Sequence, residues 1–163
     1  MALKMGHANV THRHQGLNLC CWMTSLEMLM QWRHNSIYGA NRNEHTKEVI
    51  DAFKKNRGYS FGTGTLRNDY GLKQVSALDN GVASWKKALG ASPILLSGKY
   101  GMARSGIGGH VVLAIGLSNS DKIVYMDPFR TGWKSNKYIY MTVKEAYDRV
   151  YEKFGVLDAW TSK

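Results

Sequence analysis

The chain has 163 residues, 44% of them hydrophobic, with two cysteines, two prolines and a formal net charge of +10. That length and apolar content suit one domain with a sizeable core; they argue against disorder through its body, and no apolar run approaches the roughly 20 residues of a membrane-spanning helix. The basic residues are scattered apart from short clusters such as Lys54-Lys55-Asn-Arg57, with no zinc-finger spacing, aromatic RNA-binding signature or basic helix, so nucleic acid is not indicated beyond the charge itself.

Residues 1 to about 18 read as irregular, residues 1–14 forming an N-terminal arm. Trp22, Leu26, Leu29 and Met30 recur at helical spacing and predict a helix over 21–33. A second helix is expected over 43–55, with Asn43 as N-cap and Val49, Ile50 and Phe53 as its apolar stripe. Gly58, Gly62, Gly64 and Gly71 among polar residues make 57–80 a loop-rich bridge. A short helix follows over 82–89, closed by Gly90.

The second half is β-rich, with strands predicted over 94–97, 110–117, 122–126 and 137–142. Asn119-Ser120 suits the turn of a hairpin between the second and third. Thr142 caps a last helix to about 154, and Glu145 three positions on completes a capping box. Ala146, Val150 and Phe154 lie along its expected inner face. Helices first and an antiparallel sheet second is an α+β pattern. With no internal repeat and no Pro-rich linker, residues 1–163 read as a single domain.

Three separated fragments carry the chemistry. They are Gln15-Gly-Leu-Asn-Leu-Cys20-Cys21-Trp22, Gly108-Gly109-His110-Val-Val-Leu-Ala-Ile-Gly116 and Ile123-Val-Tyr-Met-Asp127-Pro128-Phe129. A thiol attacks as its thiolate, and an ordinary cysteine with a pKa of about 8.5 is mostly protonated near neutrality. A helix N-terminus and a neighbouring imidazole both favour the thiolate. Cys21 falls where the first helix should begin, His110 where a central strand should begin, and Asp127 at the end of the next strand. The separation of 17 between His110 and Asp127 allows a strand, a turn and a returning strand. Both side chains then lie at one end of a hairpin, where the carboxylate can orient the ring. Gln15, six positions before Cys21, can donate to a developing oxyanion together with the Cys21 backbone N–H.

Plainer roles exist for the same residues. Cys20 is a rival nucleophile, and both cysteines can serve as small buried hydrophobes. His110 can be a core histidine satisfied by a carbonyl, and Asp127-Pro128 a turn starter. Adjacent cysteines are poorly placed to bridge each other, so at least one thiol is expected to be free, which suits a reducing compartment. His12-Arg-His14 near Cys20 hints at a metal, but the spacing of a zinc site is absent, and no metal or other cofactor is expected. Gly62-Thr-Gly64 is not followed by the Gly-Lys-Ser/Thr of a phosphate loop.

In this order the fragments resemble papain-like cysteine peptidases: Gln15 and Cys21-Trp22 their Gln and Cys-Trp, His110 to Gly116 their histidine strand. Papain itself has Asn where this chain has Asp127. Asp127-Pro128 is similar instead to bacterial branches, namely the bacteriocin-leader peptidase domains of exporters and the effector peptidases of pathogens. Trp85 to Leu96, with Pro93 opening a strand, also looks like the element before their histidine strand. The resemblance spans 15 to about 150. Met23-Thr-Ser25 after the Cys-Trp departs from the small-residue run common in the family, and Cys20 is a second departure.

The resemblance implies a papain-like α+β fold, its N-terminal helical half carrying the nucleophile and packed on a C-terminal antiparallel sheet carrying His and Asp. It implies peptide-bond cleavage with Cys21 as nucleophile, His110 as general base and acid, Asp127 as orienter and Gln15 as oxyanion donor. By analogy, the protein is expected to be a bacterial effector or toxin cutting a specific protein in a target cell. A cognate immunity or inhibitor protein would then protect the producer. The first residues lack the apolar core of a secretory signal, so delivery by a signal-free route and action in a reducing cytoplasm are expected, without membrane insertion. Two other readings share these residues: transglutamination or deamidation through the same triad, and a non-catalytic basic protein-binding domain.

Overall fold

The long apolar run that begins at His110 has no polar face, because the strand it forms is covered on both sides. The computed structural model describes residues 3–12, 21–34, 67–68, 70–75, 78–98, 110–128, 138–154 and 159–162. Their strands are β1 (Leu3–Gly6), β2 (Lys73–Gln74), β3 (Ile94–Gly98), β4 (His110–Ser118), β5 (Ile123–Met126), β6 (Ile139–Met141) and β7 (Ala159–Thr161). The helices are α1 (Cys21–His34), α2 (Val82–Ala91) and α3 (Val143–Phe154). The strands form one antiparallel sheet in the order β2-β7-β3-β4-β5-β6, with β1 also paired to β4.

Side-chain alternation along the strands divides the core into two layers. Ile94, Leu96, Val112, Ala114 and Tyr125 pack with Trp85 and Leu89 of α2 and Ala146 of α3. Leu95, Leu113, Ile115, Val124 and Met126 pack on the other face with Leu26, Met28 and Leu29 of α1. The sheet is thus sandwiched between α1 and the α2–α3 pair. A register shift between Ala114 and Gly116 opposite β5 inserts one extra residue into β4. The insertion returns Leu117 to the α2–α3 side, where strict alternation would have turned it away.

Several expectations need correction. Gly90 does not close α2, which continues to Ala91 and ends at an extended Ser92, whose N–H donates to the Ala88 carbonyl; the following proline disfavours continuing the helix. The N-terminal arm is not irregular throughout, since Leu3–Gly6 forms β1. Two further short strands, β2 and β7, escaped prediction because two or three residues carry no period. The Thr142–Glu145 capping box forms as expected. Glu145 accepts from the Thr142 backbone N–H at 2.7 Å, and Thr142 Oγ1 from the Glu145 N–H at 3.1 Å. The helix expected over 43–55 lies outside the described residues. Among those described, no helix is long and apolar enough to cross a membrane.

β1 runs antiparallel to β4, from Leu3 opposite Ser118 to Gly6 opposite Gly116, and His7 continues it by donating its backbone N–H to Ile115. The backbones meet most closely at the glycine pair. A Cβ on Gly6, which has φ of +127°, would lie 2.2 Å from the Ile115 carbonyl oxygen. Gly6→Ala therefore adds a backbone collision to an unfavourable conformation and should lower unfolding free energy by at least about 2 kcal/mol. Denaturant titration against an Ala substitution at exposed Lys4 as control measures the difference.

Candidate active site

Where β5 stops, α1 begins. The last pair between β4 and β5 is Leu113 with Met126. Two residues back along β4, Val111 presents its N–H and C=O on one side of the strand, and α1 takes both. Ser25 Oγ donates to the Val111 carbonyl at 3.0 Å, while the Val111 N–H donates to the Cys21 thiol, as does the N–H of Trp22. Ser25 lies one helical turn after Cys21 on the same face. Buried Leu26 and Leu29 hold that part of the helix on the sheet. Cys21 is the first residue of α1 and half-buried, and the first turn contains no acidic side chain to offset the positive end of the helix.

His110 opens β4 and Asp127 directly follows β5, so one hairpin brings them to the end of the sheet where α1 starts. His110 Nε2 lies 2.6 Å from Asp127 Oδ1, and both side chains are buried. His110 also hydrogen-bonds to Cys21. With Nε2 occupied by Asp127, Nδ1 is the nitrogen left for the sulfur.

Burial alone would push the Cys21 thiol up, but its hydrogen bond to His110, the imidazolium charge and the two backbone N–H donors outweigh that. The thiol ends below its ordinary value. Burial likewise disfavours the charged imidazole, and the hydrogen bonds and charges of Asp127 and Cys21 overcome it, raising His110 to about 9. The opposed shifts both favour a thiolate–imidazolium pair, the form in which a cysteine is nucleophilic.

Of the four residues singled out from sequence, Cys21, His110 and Asp127 come together here. Gln15 lies outside the described residues, as does the rival thiol Cys20. Two neighbours of the site were not foreseen. Ser25 was detectable only as a hydroxyl one turn beyond the cysteine. His12, in the His12-Arg-His14 run that hints at a metal, donates from Nε2 to the Asp127 backbone carbonyl at 2.8 Å. Among the described residues no group of His, Cys, Asp and Glu is arranged to hold a metal ion.

The family model Peptidase_C70, described as papain-like cysteine protease AvrRpt2, matches residues 4–144, most of the chain and all three residues of this cluster. A search of curated proteins gave no match.

The paired shifts define a pH window. Below the depressed thiol pKa the sulfur is protonated; above about 9 the imidazole is neutral and the pair is lost. At pH 6 iodoacetamide should therefore alkylate Cys21 at least about tenfold faster than an ordinary cysteine. In His110→Ala the advantage should vanish. Equal rates at that pH in both proteins would remove the ion pair.

Proposed function

The chain belongs to the papain-like cysteine proteases, the bacterial effector type, and on that premise we propose that Cys21, His110 and Asp127 carry out its hydrolysis of peptide bonds. The observation that supports this most is the imidazole held between two partners, Asp127 Oδ1 at 2.6 Å from Nε2 and the Cys21 thiol on the other side.

The thiolate of Cys21 attacks the scissile carbonyl carbon, and the developing oxyanion forms beside the N-terminus of α1. There the Cys21 backbone N–H and the side-chain amide of Gln15 are the proposed donors. As the tetrahedral adduct collapses, the imidazolium of His110 gives its proton to the departing amine and a thioester remains. Neutral His110 then takes a proton from water, the hydroxide attacks the thioester, and the carboxylic acid leaves as the thiolate is restored. Asp127 keeps the ring oriented through both transfers. No step calls for a metal or another cofactor.

The protein substrate follows from the family. That it is one specific protein in a target cell is our reading, as are residues 1–163 as one catalytic domain, delivery by a signal-free route and a cognate immunity protein. A free, half-buried Cys21 with a depressed pKa supports action in a reducing compartment, where the thiolate survives.

Mass spectrometry of a cell lysate treated with wild type or Cys21→Ala, with new N-termini labelled, tests the reading. Wild type should generate discrete new termini, and Cys21→Ala none. Glutamine deamidation or new isopeptide bonds without new termini would mean that the same triad performs acyl transfer on glutamine. Cys20→Ala should retain most activity. Asp127→Asn keeps an acceptor oxygen for the ring and should stay measurably active, whereas Asp127→Ala should lose considerably more. Full activity in Asp127→Ala would show that another group orients His110.

A further inference from the structure

Asp127 stands one residue beyond the last paired residue of β5 and directly before Pro128. The sheet ladder fixes its N-terminal side, and the proline restricts its backbone to extended conformations. The Asp127 carbonyl accepts from His12 Nε2 at 2.8 Å. A carbonyl oxygen only accepts, so the His12 proton is on Nε2.

His12 is itself anchored. β1 pairs with the far end of β4, His7 continues that pairing at Ile115, the Val10 N–H donates to the His7 carbonyl at 3.3 Å, and Val10 is buried. The N-terminal segment thus starts beside the far end of β4 and reaches the catalytic end of the sheet at His12. Its attachment there is to the residue that orients the imidazole. Little movement is tolerated: a 1 Å retreat of Asp127 would turn its 2.6 Å contact with His110 into a separation of about 3.6 Å, too long for a hydrogen bond.

We propose that His12 is a positioning residue of the active site, holding the Asp127 turn so that its carboxylate stays on His110, an inference that rests on the triad reading above. It does not touch the reacting atoms. Its effect passes through Asp127 to the protonation of His110 and from there to the Cys21 thiolate. The role concerns geometry at one carbonyl, so any side chain that presents an N–H at the same place should serve.

The test uses the full chain with wild type, His12→Ala, His12→Gln and His12→Asn, each checked for folding by circular dichroism. Iodoacetamide alkylation of Cys21 at pH 6 and the pH dependence of kcat/KM on a cleavable peptide are measured. Loss of one positioning hydrogen bond should slow alkylation by roughly five- to tenfold in His12→Ala. It should also move the alkaline limit of kcat/KM to lower pH, because His110 loses part of its carboxylate support. His12→Gln, whose amide N–H reaches the Nε2 position, should restore both; His12→Asn, one methylene shorter, should not. A folded His12→Ala with wild-type alkylation and an unmoved alkaline limit overturns the proposal. So does a His12→Gln that behaves like His12→Asn, the comparison that decides if His12→Ala does not fold. A wild type without fast alkylation at pH 6 instead defeats the triad reading itself, a separate result.

Discussion

The peptide of Val111 joins the two halves of the site. Its carbonyl is tied to Ser25 and its N–H to the Cys21 sulfur, both on α1, while the neighbouring residue of the same strand is His110. Buried backbone groups need partners, and beyond the last β4–β5 pair the helix supplies them. The same contacts set the distance between thiol and imidazole. β4 could not serve in this way if β5 continued beside it, so the early end of β5 is what admits the helix. Asp127 follows at that end and completes the cluster from the opposite side of the ring.

Burial works against both charges at this point, yet each charged form is favoured because it faces the other. The thiolate has two backbone N–H donors and an imidazolium; the imidazolium has a carboxylate and a thiolate. Removing one member leaves a buried charge poorly compensated, which costs more than the pair's net worth would suggest. Such a cluster has to be held by rigid elements, and here it is: α1, β4 and the end of β5 all lie in the well-packed core. The close approach of Gly6 and Gly116 lets the N-terminal segment that leads to His12 pair directly with β4.

Much of this was legible in the sequence. The helical spacing of Trp22, Leu26 and Leu29 located the cysteine at a helix start, and the apolar run after His110 marked a central strand. The distance from His110 to Asp127 fitted a hairpin, which returns both residues to one end of the sheet. Thr142 and Glu145 formed the expected cap. What escaped was too short to have a period, as β2 and β7 are, lay in a segment read as an irregular arm, as β1 does, or depended on contacts between residues far apart in the chain. His12 and Asp127 are separated by 115 positions and Ser25 and Val111 by 86, and neither pair has a local signature. The bulge at Ala114–Gly116 was hidden because a fully apolar strand reads the same with or without an inserted residue.

The central claim is that Cys21 and His110 form a buried thiolate–imidazolium pair because Asp127 holds the ring from its other nitrogen. Titrating the His110 ring by NMR, with its resonance assigned by loss in His110→Gln, addresses that claim most directly. The account predicts an imidazole that stays protonated through neutrality and loses its proton at about 9. A midpoint near the ordinary histidine value of about 6.5 would contradict it.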